Sequence, residues 1–393
     1  MKMSRCTPSN SMKTLAGLFQ SGCRFFCAPS IIVCLFIISI APLHAKDSVQ
    51  ILARAGGTAE GMEEDMDELR GIMKERSRQP KFSETPTLSI AQQFGLGYLP
   101  LMLVRQHKLI EKHAKKLGLN PVAVKWGRYS SGAEMNKALQ TGLLDLATGG
   151  VAPLLTAWNR DNSIKGLAAL SSMPLYLNTA TPGITSINGL SDQDRIALPA
   201  TQVSTQAVVL HGALLKKHGV SGHARLDAIT VSMRHPDAMT ALLEGKGGIT
   251  AHFAAPPFQT QELENPRIRK ILDSYEVLNG PATFTTIWTK EGFYQQNPIT
   301  MKAVLAALRE AVEMIRNDKR LAAEIYLMHN PYSALSEKEL EHLLSDQLLR
   351  FTLEPQNIVG YGEIMHQLGR IQKMPDGWEE LYLFPLSILG DRP

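Results

Sequence analysis

The sequence predicts an α/β protein of two lobes, each a mainly parallel sheet flanked by helices. Three observations predict it. Short apolar strands alternate with longer helices from residue 87 to 170. The same strand–helix–strand order repeats between 195 and 253. A last strand follows the turn Asn279-Gly280-Pro281 and returns to the first unit. Alternation at this spacing favours parallel pairing with helices on both sheet faces. The division that follows places lobe 1 at 86–177 with 281–393 and lobe 2 at 178–280.

The chain opens with a segment unlike the rest. Residues 1–45 carry Lys2, Arg5, Lys13 and Arg24 without an acid, then the apolar run IIVCLFIISIA, then Pro42-Leu43-His44-Ala45. A basic start, a short apolar stretch and a terminal Ala are expected of a secretory signal peptide, starting at Met1 or Met12. The apolar run is about half of what a bilayer-spanning helix needs. All four cysteines, Cys6, Cys23, Cys27 and Cys34, lie here. Cleavage after Ala45 leaves no cysteine, which excludes disulfides, thiolate nucleophiles, iron–sulfur clusters and Cys-ligated zinc together. It also removes four of the 41 basic residues and leaves 37 against 37 acidic ones. A near-neutral chain without a basic patch does not suit nucleic acid.

Residues 46–85 read as a polar extension. In it Met62, Met66, Leu69 and Met73 recur at helical spacing, with acids at the start of the stretch and bases at its end, as a helix dipole favours. Then come a strand TLSIA (87–91), a helix over 100–117, a strand PVAVKW (121–126) and a helix over 133–140. Strands DLATGG (145–150) and SIKGLAAL (163–170) complete the first unit. After the turn-rich stretch 179–194 the order is strand RIALPA (195–200), helix 206–218, strand DAITVS (227–232), helix 237–244 and strand GGITAHF (247–253). TFTTIWT (283–289) is the returning strand, and helices are expected over 298–317, 319–328 and 336–346.

Motifs that would carry chemistry are missing. The eleven histidines include no His-x-x-x-His or His-Glu-x-x-His pair. Gly219-Val220-Ser221-Gly222 is one residue short of a nucleophile elbow, and Glu244-Gly245-Lys246-Gly247-Gly248 lacks the spacing of a phosphate loop. Pro100 takes the third-glycine position after Gly95-Leu96-Gly97, which speaks against a dinucleotide site. No catalytic residue, metal or cofactor is expected.

Several segments resemble one family. They are Phe94-Gly95-Leu96-Gly97-Tyr98-Leu99-Pro100 leading to Lys116-Leu117-Gly118-Leu119, and Trp126-Gly127-Arg128-Tyr129-Ser130-Ser131-Gly132-Ala133 leading to Ala138-Leu139-Gln140-Thr141-Gly142 and Asp145. Pro199-Ala200 with Gln206 onwards, and Asn297-Pro298 before a long helix, fit too. In this order they resemble the nitrate/sulfonate/taurine family of ABC-importer substrate-binding proteins, which also takes in binders of thiamine-pyrimidine precursors. The resemblance covers roughly residues 86–385. It implies a periplasmic-binding-protein fold of the second type, closing like a Venus flytrap on its ligand, and a monomer in the periplasm with an ABC permease as partner. Fungal pyrimidine synthases share that fold but carry a cysteine-rich iron motif that this chain lacks after Ala45. A ligand-sensing adaptor docking on a membrane receptor is the rival from another class.

The candidate ligand residues sit where loops precede helices, because first-turn N–H groups are unpaired there and carry partial positive charge. They are Gly97 and Tyr98 in the first loop, Ser130, Ser131 and Gly132 in the second, and Thr201, Ser204 and Thr205 in the third. The serines and threonines equally suit plain N-caps. Gly150 and Val151 follow a strand tip. Tyr129, Tyr176 and Phe253 join Tyr98 as candidate aromatic walls. His252, beside Pro256-Pro257, and Arg128 are the candidate counter-charges, whereas Arg234 and His235 read as a helix start. The expected role is capture without chemistry of a small anion or zwitterion, with hinge crossings at 173–182 and 278–284. Nitrate, an alkanesulfonate, taurine, an aromatic acid and a pyrimidine precursor all remain open.

Overall fold

A computed structural model describes residues 84–383. Contacts divide the chain into 1–81 and 82–393, and every described residue lies in the second unit. The signal peptide, the helix of the 46–85 extension and the last ten residues fall outside the described part. Of the extension, Glu84 and Thr85 are described. Glu84 accepts hydrogen bonds from the Ile299 and Thr300 amides (2.7 and 2.6 Å) and so caps the longest of the described helices.

The first part of the chain gives β1 (Thr87–Gln92), a 3₁₀ turn (Leu96–Tyr98), α1 (Leu99–Gln106), α2 (Leu109–Lys116), β2 (Ala123–Arg128), α3 (Gly132–Gln140), β3 (Ala147–Gly150), α4 (Val151–Arg160) and β4 (Ile164–Ser172). The helix predicted over 100–117 is two helices. Lys108 adopts a left-handed backbone (φ 49°) that a continuous helix cannot contain. The chain then forms β5 (Tyr176–Thr179), β6 (Ile196–Leu198), α5 (Thr205–His218), β7 (Thr230–Ser232), α6 (His235–Glu244), β8 (Ala251–Phe253), α7 (Phe258–Leu263), β9 (Arg269–Asp273) and α8 (Ser274–Val277). It ends with β10 (Thr283–Lys290), α9 (Glu291–Gln296), α10 (Pro298–Asn317), α11 (Lys319–His329), α12 (Glu337–Leu344), α13 (Ile358–Gln367) and α14 (Trp378–Leu381).

The sheets are mixed rather than mainly parallel, which corrects the expectation. β1 and β2 pair in parallel, and Ile90 bridges Leu146 in parallel beside β3. β10, however, lies between β3 and β4 and runs against both. The five-stranded sheet has the order β7-β6-β8-β5-β9. Here β6 is parallel to β7 and β8, whereas β5 runs against β8 and β9. The antiparallel pairs thus come from β5 and β10, the strands by which the chain enters the second sheet and returns to the first. The crossings occupy the short segments 173–175 and 278–282.

One apolar cluster connects the three-stranded sheet β3-β10-β4 with the five-stranded one. It joins Leu154, Leu155 and Trp158 of α4 to Val208, Val209 and Leu210 of α5, and continues to Ile358, Tyr361 and Met365 of α13. α13 packs on both α4 and α5. Gly212 makes this possible, since a Cβ there would fall 2.6 Å from Ile364 Cδ1. Contacts alone therefore draw no boundary at 177 or 281. A second cluster packs α1, α2, α10 and α11 behind β1 and β4. Truncation in the shared cluster tests its weight. Leu154 is fully buried, so Leu154→Ala is expected to cost about 2–5 kcal/mol, read from the urea unfolding midpoint followed by circular dichroism.

Candidate functional site

Four helices begin at one crevice because four strand-to-helix turns end at the same place. The crevice is lined by Ser131, Gly132 and Ala133 at the start of α3, by Gly150 at the end of β3 and Pro153 of α4, by Ser204 just before α5 with Thr205 and Gln206 of α5, and by His235 of α6. Gln93, Phe94 and Tyr98 from the loop before α1, and Phe284 of β10, complete the wall. The enclosed space is narrow, about 20 Å³, room for roughly one water-sized group.

Two serines have a double position here. Ser131 Oγ accepts from the Glu134 amide (3.3 Å) and Ser204 Oγ from the Ala207 amide (3.2 Å). Both are N-caps, and both line the crevice. Each cap satisfies one first-turn donor and leaves earlier N–H groups of the turn for another acceptor. Closeness of the facing turns depends on two glycines. A Cβ on Gly132 would sit 2.6 Å from Pro153 Cγ, and one on Gly150 would overlap Thr205 Oγ1. Thr205 Oγ1 lies 3.4 Å from the Ala152 amide, so a side chain of α5 reaches the first turn of α4.

Of the residues singled out in the sequence, Tyr98, Ser131, Gly132, Gly150, Ser204 and Thr205 meet at this crevice. The others stand apart, each for a structural reason. Gly97 is buried beneath the wall, its carbonyl accepting from Thr285 Oγ1 (2.8 Å). Val151 is fully buried in the shared apolar cluster. Ser130 is half-buried and gives its amide to Glu134 Oε2 (3.1 Å). Thr201 gives its amide to Ser232 Oγ (3.0 Å). Tyr129 and Tyr176 are half-buried away from the crevice, and Phe253 is core. Arg128 is exposed, its guanidinium 4.9 Å from the centre of the Phe94 ring. Arg234, from the opposite sheet, lies 5.8 Å from the same ring. Two cations thus share the outer face of a wall residue, although Arg234 is also paired with Asp237 (2.6 Å).

His252 does not reach the crevice. It is the middle residue of β8 and is fully buried behind the wall. Its Nε2 lies 2.8 Å from Nδ1 of His235, which does line the crevice. Its Nδ1 lies 2.5 Å from Glu262 Oε1, and Glu262 Oε2 accepts from Asn178 Nδ2 (2.8 Å). On the crevice side, His235 Nε2 lies 3.2 Å from Gln206 Nε2. Burial holds His235 well below the usual imidazole range, and the neighbouring His252 lowers it further. Sequence reasoning missed His235 as a wall residue because it looked like part of a helix start. That position was itself the signal, since residues at helix starts line the crevice. Phe94 and Gln206 carried the same signal, as neighbours of loops already marked. Glu262 had none, because its partner lies ten residues away across a strand and a turn.

Among the described residues no group of His, Asp or Glu is arranged to hold a metal ion. None of the described helices is long and apolar enough to cross a membrane.

Two outcomes are expected of this geometry. Gly150→Ala should lower stability by about 1–3 kcal/mol through overpacking, and Thr205→Ala should recover part of that loss in the double variant, a coupling read from denaturant midpoints. The second concerns pH. The unfolded chain takes up a proton at His235 near the ordinary value of 6.5, whereas the folded chain resists it. Unfolding free energy should therefore fall as pH drops below about 6.5, with a slope approaching 1.4 kcal/mol per pH unit for this residue. His235→Gln should reduce that slope in urea titrations between pH 5 and 8.

Comparison with known proteins bears on the fold. No protein-family model and no curated protein sequence matches the chain. Among solved structures, it is similar to the alkanesulfonate-binding protein SsuA of Xanthomonas axonopodis pv. citri bound to MOPS, with TM-score 0.59 and 16% identity over 74% of this chain and 96% of that one. It is similar to the periplasmic aliphatic sulphonate-binding protein SsuA of Escherichia coli, with TM-score 0.56 and 17% identity over 77% and 93%. A Candida albicans protein described as having the generic periplasmic-binding-protein fold superposes with TM-score 0.55 and 12% identity over 77% and 95%. The sulfonate-binding neighbours agree with the resemblance read from the motifs, and at these identities the likeness shows that the described chain has the periplasmic-binding-protein fold.

Proposed function

We propose that the chain is the exported solute-binding component of an ABC importer and that it captures a small anionic or zwitterionic solute, an alkanesulfonate by preference, in this crevice. The observation that carries the reading is the meeting of four helix starts at one place. Unpaired first-turn N–H groups and helix dipoles suit an oxyanion, and Arg128 and Arg234 stand over Phe94 at its wall. That sulfonate binders are among the similar structures supports the solute class. The permease partner, the periplasmic location and the absence of catalysis belong to the same proposal.

In this reading 86–177 with 281–393 form one lobe and 178–280 the other, and they move about the crossings near 173–182 and 278–284. Supporting it, the crevice wall draws residues from both segments, and its narrow space suits a closed form that must open for a solute to enter. Ligand then favours closure through contacts available only when both walls are near. Aromatic acids and pyrimidine precursors form the second reading, favoured by the rings of Phe94, Tyr98 and Phe284 in the wall.

The test is a thermal-unfolding panel of ethanesulfonate, taurine, nitrate, benzoate and an aminopyrimidine. The cognate class at about 100 times its Kd should stabilise the protein by about 2.7 kcal/mol. Replacing the wall donor, Thr205→Val, should weaken that shift by at least tenfold in Kd. Arg128→Ala, at an exposed position, should weaken it several-fold. A shift with benzoate or the pyrimidine alone would overturn the sulfonate preference, and a flat panel would overturn the solute-binding reading.

A further inference from the structure

We propose that the crevice takes up an oxyanion together with one proton, and that the chain Glu262–His252–His235 stores that proton and turns His235 into a ligand donor. This deepens the reading above and rests on the crevice being an anion site. The three groups form one buried line. Glu262 and His252 have no exposed surface and His235 is 6% exposed. The links are 2.5 Å from Glu262 Oε1 to His252 Nδ1 and 2.8 Å from His252 Nε2 to His235 Nδ1.

With both imidazoles neutral, only two arrangements satisfy the Glu262–His252 and His252–His235 links. With Glu262 as a carboxylate, His252 donates through Nδ1 and accepts through Nε2. His235 then donates through Nδ1, and its Nε2 is a bare acceptor that takes the Gln206 amide at 3.2 Å. That end offers nothing to an anion, and the line carries one negative charge behind the wall. Adding one proton from solvent reverses the whole line. Glu262 becomes the donor to His252 Nδ1, His252 Nε2–H donates to His235 Nδ1, and His235 Nε2–H faces the crevice once the Gln206 side-chain amide turns its N–H away from it. The buried charge is gone and the wall has gained a donor. Both changes favour an oxyanion. Burial and the neighbouring His252 hold His235 in its neutral form, so the proton that enters with the anion is held by the line as a whole and not as an imidazolium at the wall.

The groups around His235 are compatible with this. β8 presents His252 and α7 presents Glu262 together with the Phe258 ring, stacked 5.6 Å away. α5 presents the neutral Gln206, and Asn178 of β5 holds the second oxygen of Glu262. On α6 itself the exposed Arg234 is paired with Asp237. Arg128 stands farther out over Phe94.

The experiment is calorimetric titration of the full chain with ethanesulfonate between pH 5.5 and 8.5. The buffers are bis-Tris, imidazole and Tris, whose cations do not compete for an anion site and whose ionisation enthalpies differ. Expected at the alkaline end are close to one proton taken up per ethanesulfonate and a Kd that rises about tenfold per pH unit. In Glu262→Gln the side-chain amide can donate permanently to His252, so uptake should fall towards zero and affinity should become independent of pH. Should that variant fail to fold, ¹⁵N-histidine spectra of the unmutated chain give the same information, since ethanesulfonate should move the His235 proton from Nδ1 to Nε2. Binding with no proton uptake, or uptake that persists in both Glu262→Gln and His235→Gln, overturns the coupling and leaves the sulfonate reading standing. Absence of ethanesulfonate binding at every pH overturns both.

Discussion

Each α-helix leaves its first N–H groups without an intrahelical partner, and the described fold turns four such ends towards one another. The chain stops a strand and starts a helix at Ser131–Gly132, at Gly150–Val151, near Ser204–Thr205 and at Arg234–His235. Side-chain caps at Ser131 and Ser204 meet part of the need. What remains is a concentration of donors and partial positive charge in a space with little room for water. A buried donor left unpaired costs about 1–3 kcal/mol, so such a place is unfavourable unless something accepts from it. This constraint explains the glycines. Gly132 against Pro153 and Gly150 against Thr205 permit a backbone approach that any Cβ would block.

All three sheets are needed for this arrangement, and their strand directions follow from it. α3 follows β2 of the two-stranded sheet and α4 follows β3 of the three-stranded one, while α5 and α6 follow β6 and β7 of the five-stranded sheet. The chain must therefore cross between sheets, and β5 and β10, which flank the two crossings, run antiparallel to their neighbours. α13 then packs across α4 and α5. Arg370 binds the Gln202 carbonyl and lies 2.7 Å from His211 Nδ1, so the last third of the chain also ties down the loop ahead of α5.

Much of this was legible in the sequence, for identifiable reasons. Short runs such as TLSIA and TFTTIWT, bounded by turn residues, marked strands, and loops rich in Ser, Thr and Gly marked helix starts. Six marked residues therefore share the crevice. The failures have equally specific causes. β5 and β9 were overlooked because YLNT and RKILD are short and carry polar residues at positions the sheet buries or pairs. α4 was overlooked because VAPLLTAWNR has a proline inside its first turn, a place where proline is tolerated. His252 was recognised as unusual, but a strand residue points to one face or the other, and the tip position did not say which. Sequence spacing has no means of showing that His252 meets Glu262 behind the wall, since that contact depends on how α7 packs against the sheet.

The same magnitudes indicate which groups would hold an anion and which would only attract it. Arg128 and Arg234 are exposed, and Arg234 already has a carboxylate partner. Exposed ion pairs contribute about 0–1 kcal/mol and are screened within roughly 8–10 Å at physiological salt. Their effect falls mainly on encounter rate. Donors inside the crevice act in a drier setting, where a hydrogen bond to a charged group contributes about 1.5–3 kcal/mol. A carboxylate buried behind them, as at Glu262, would oppose the anion through the low dielectric that strengthens those bonds. It is tolerated because His252 and Asn178 hold both of its oxygens. Affinity in such a site is therefore governed by the state of the wall and by the charge immediately behind it, more than by the arginines over its mouth.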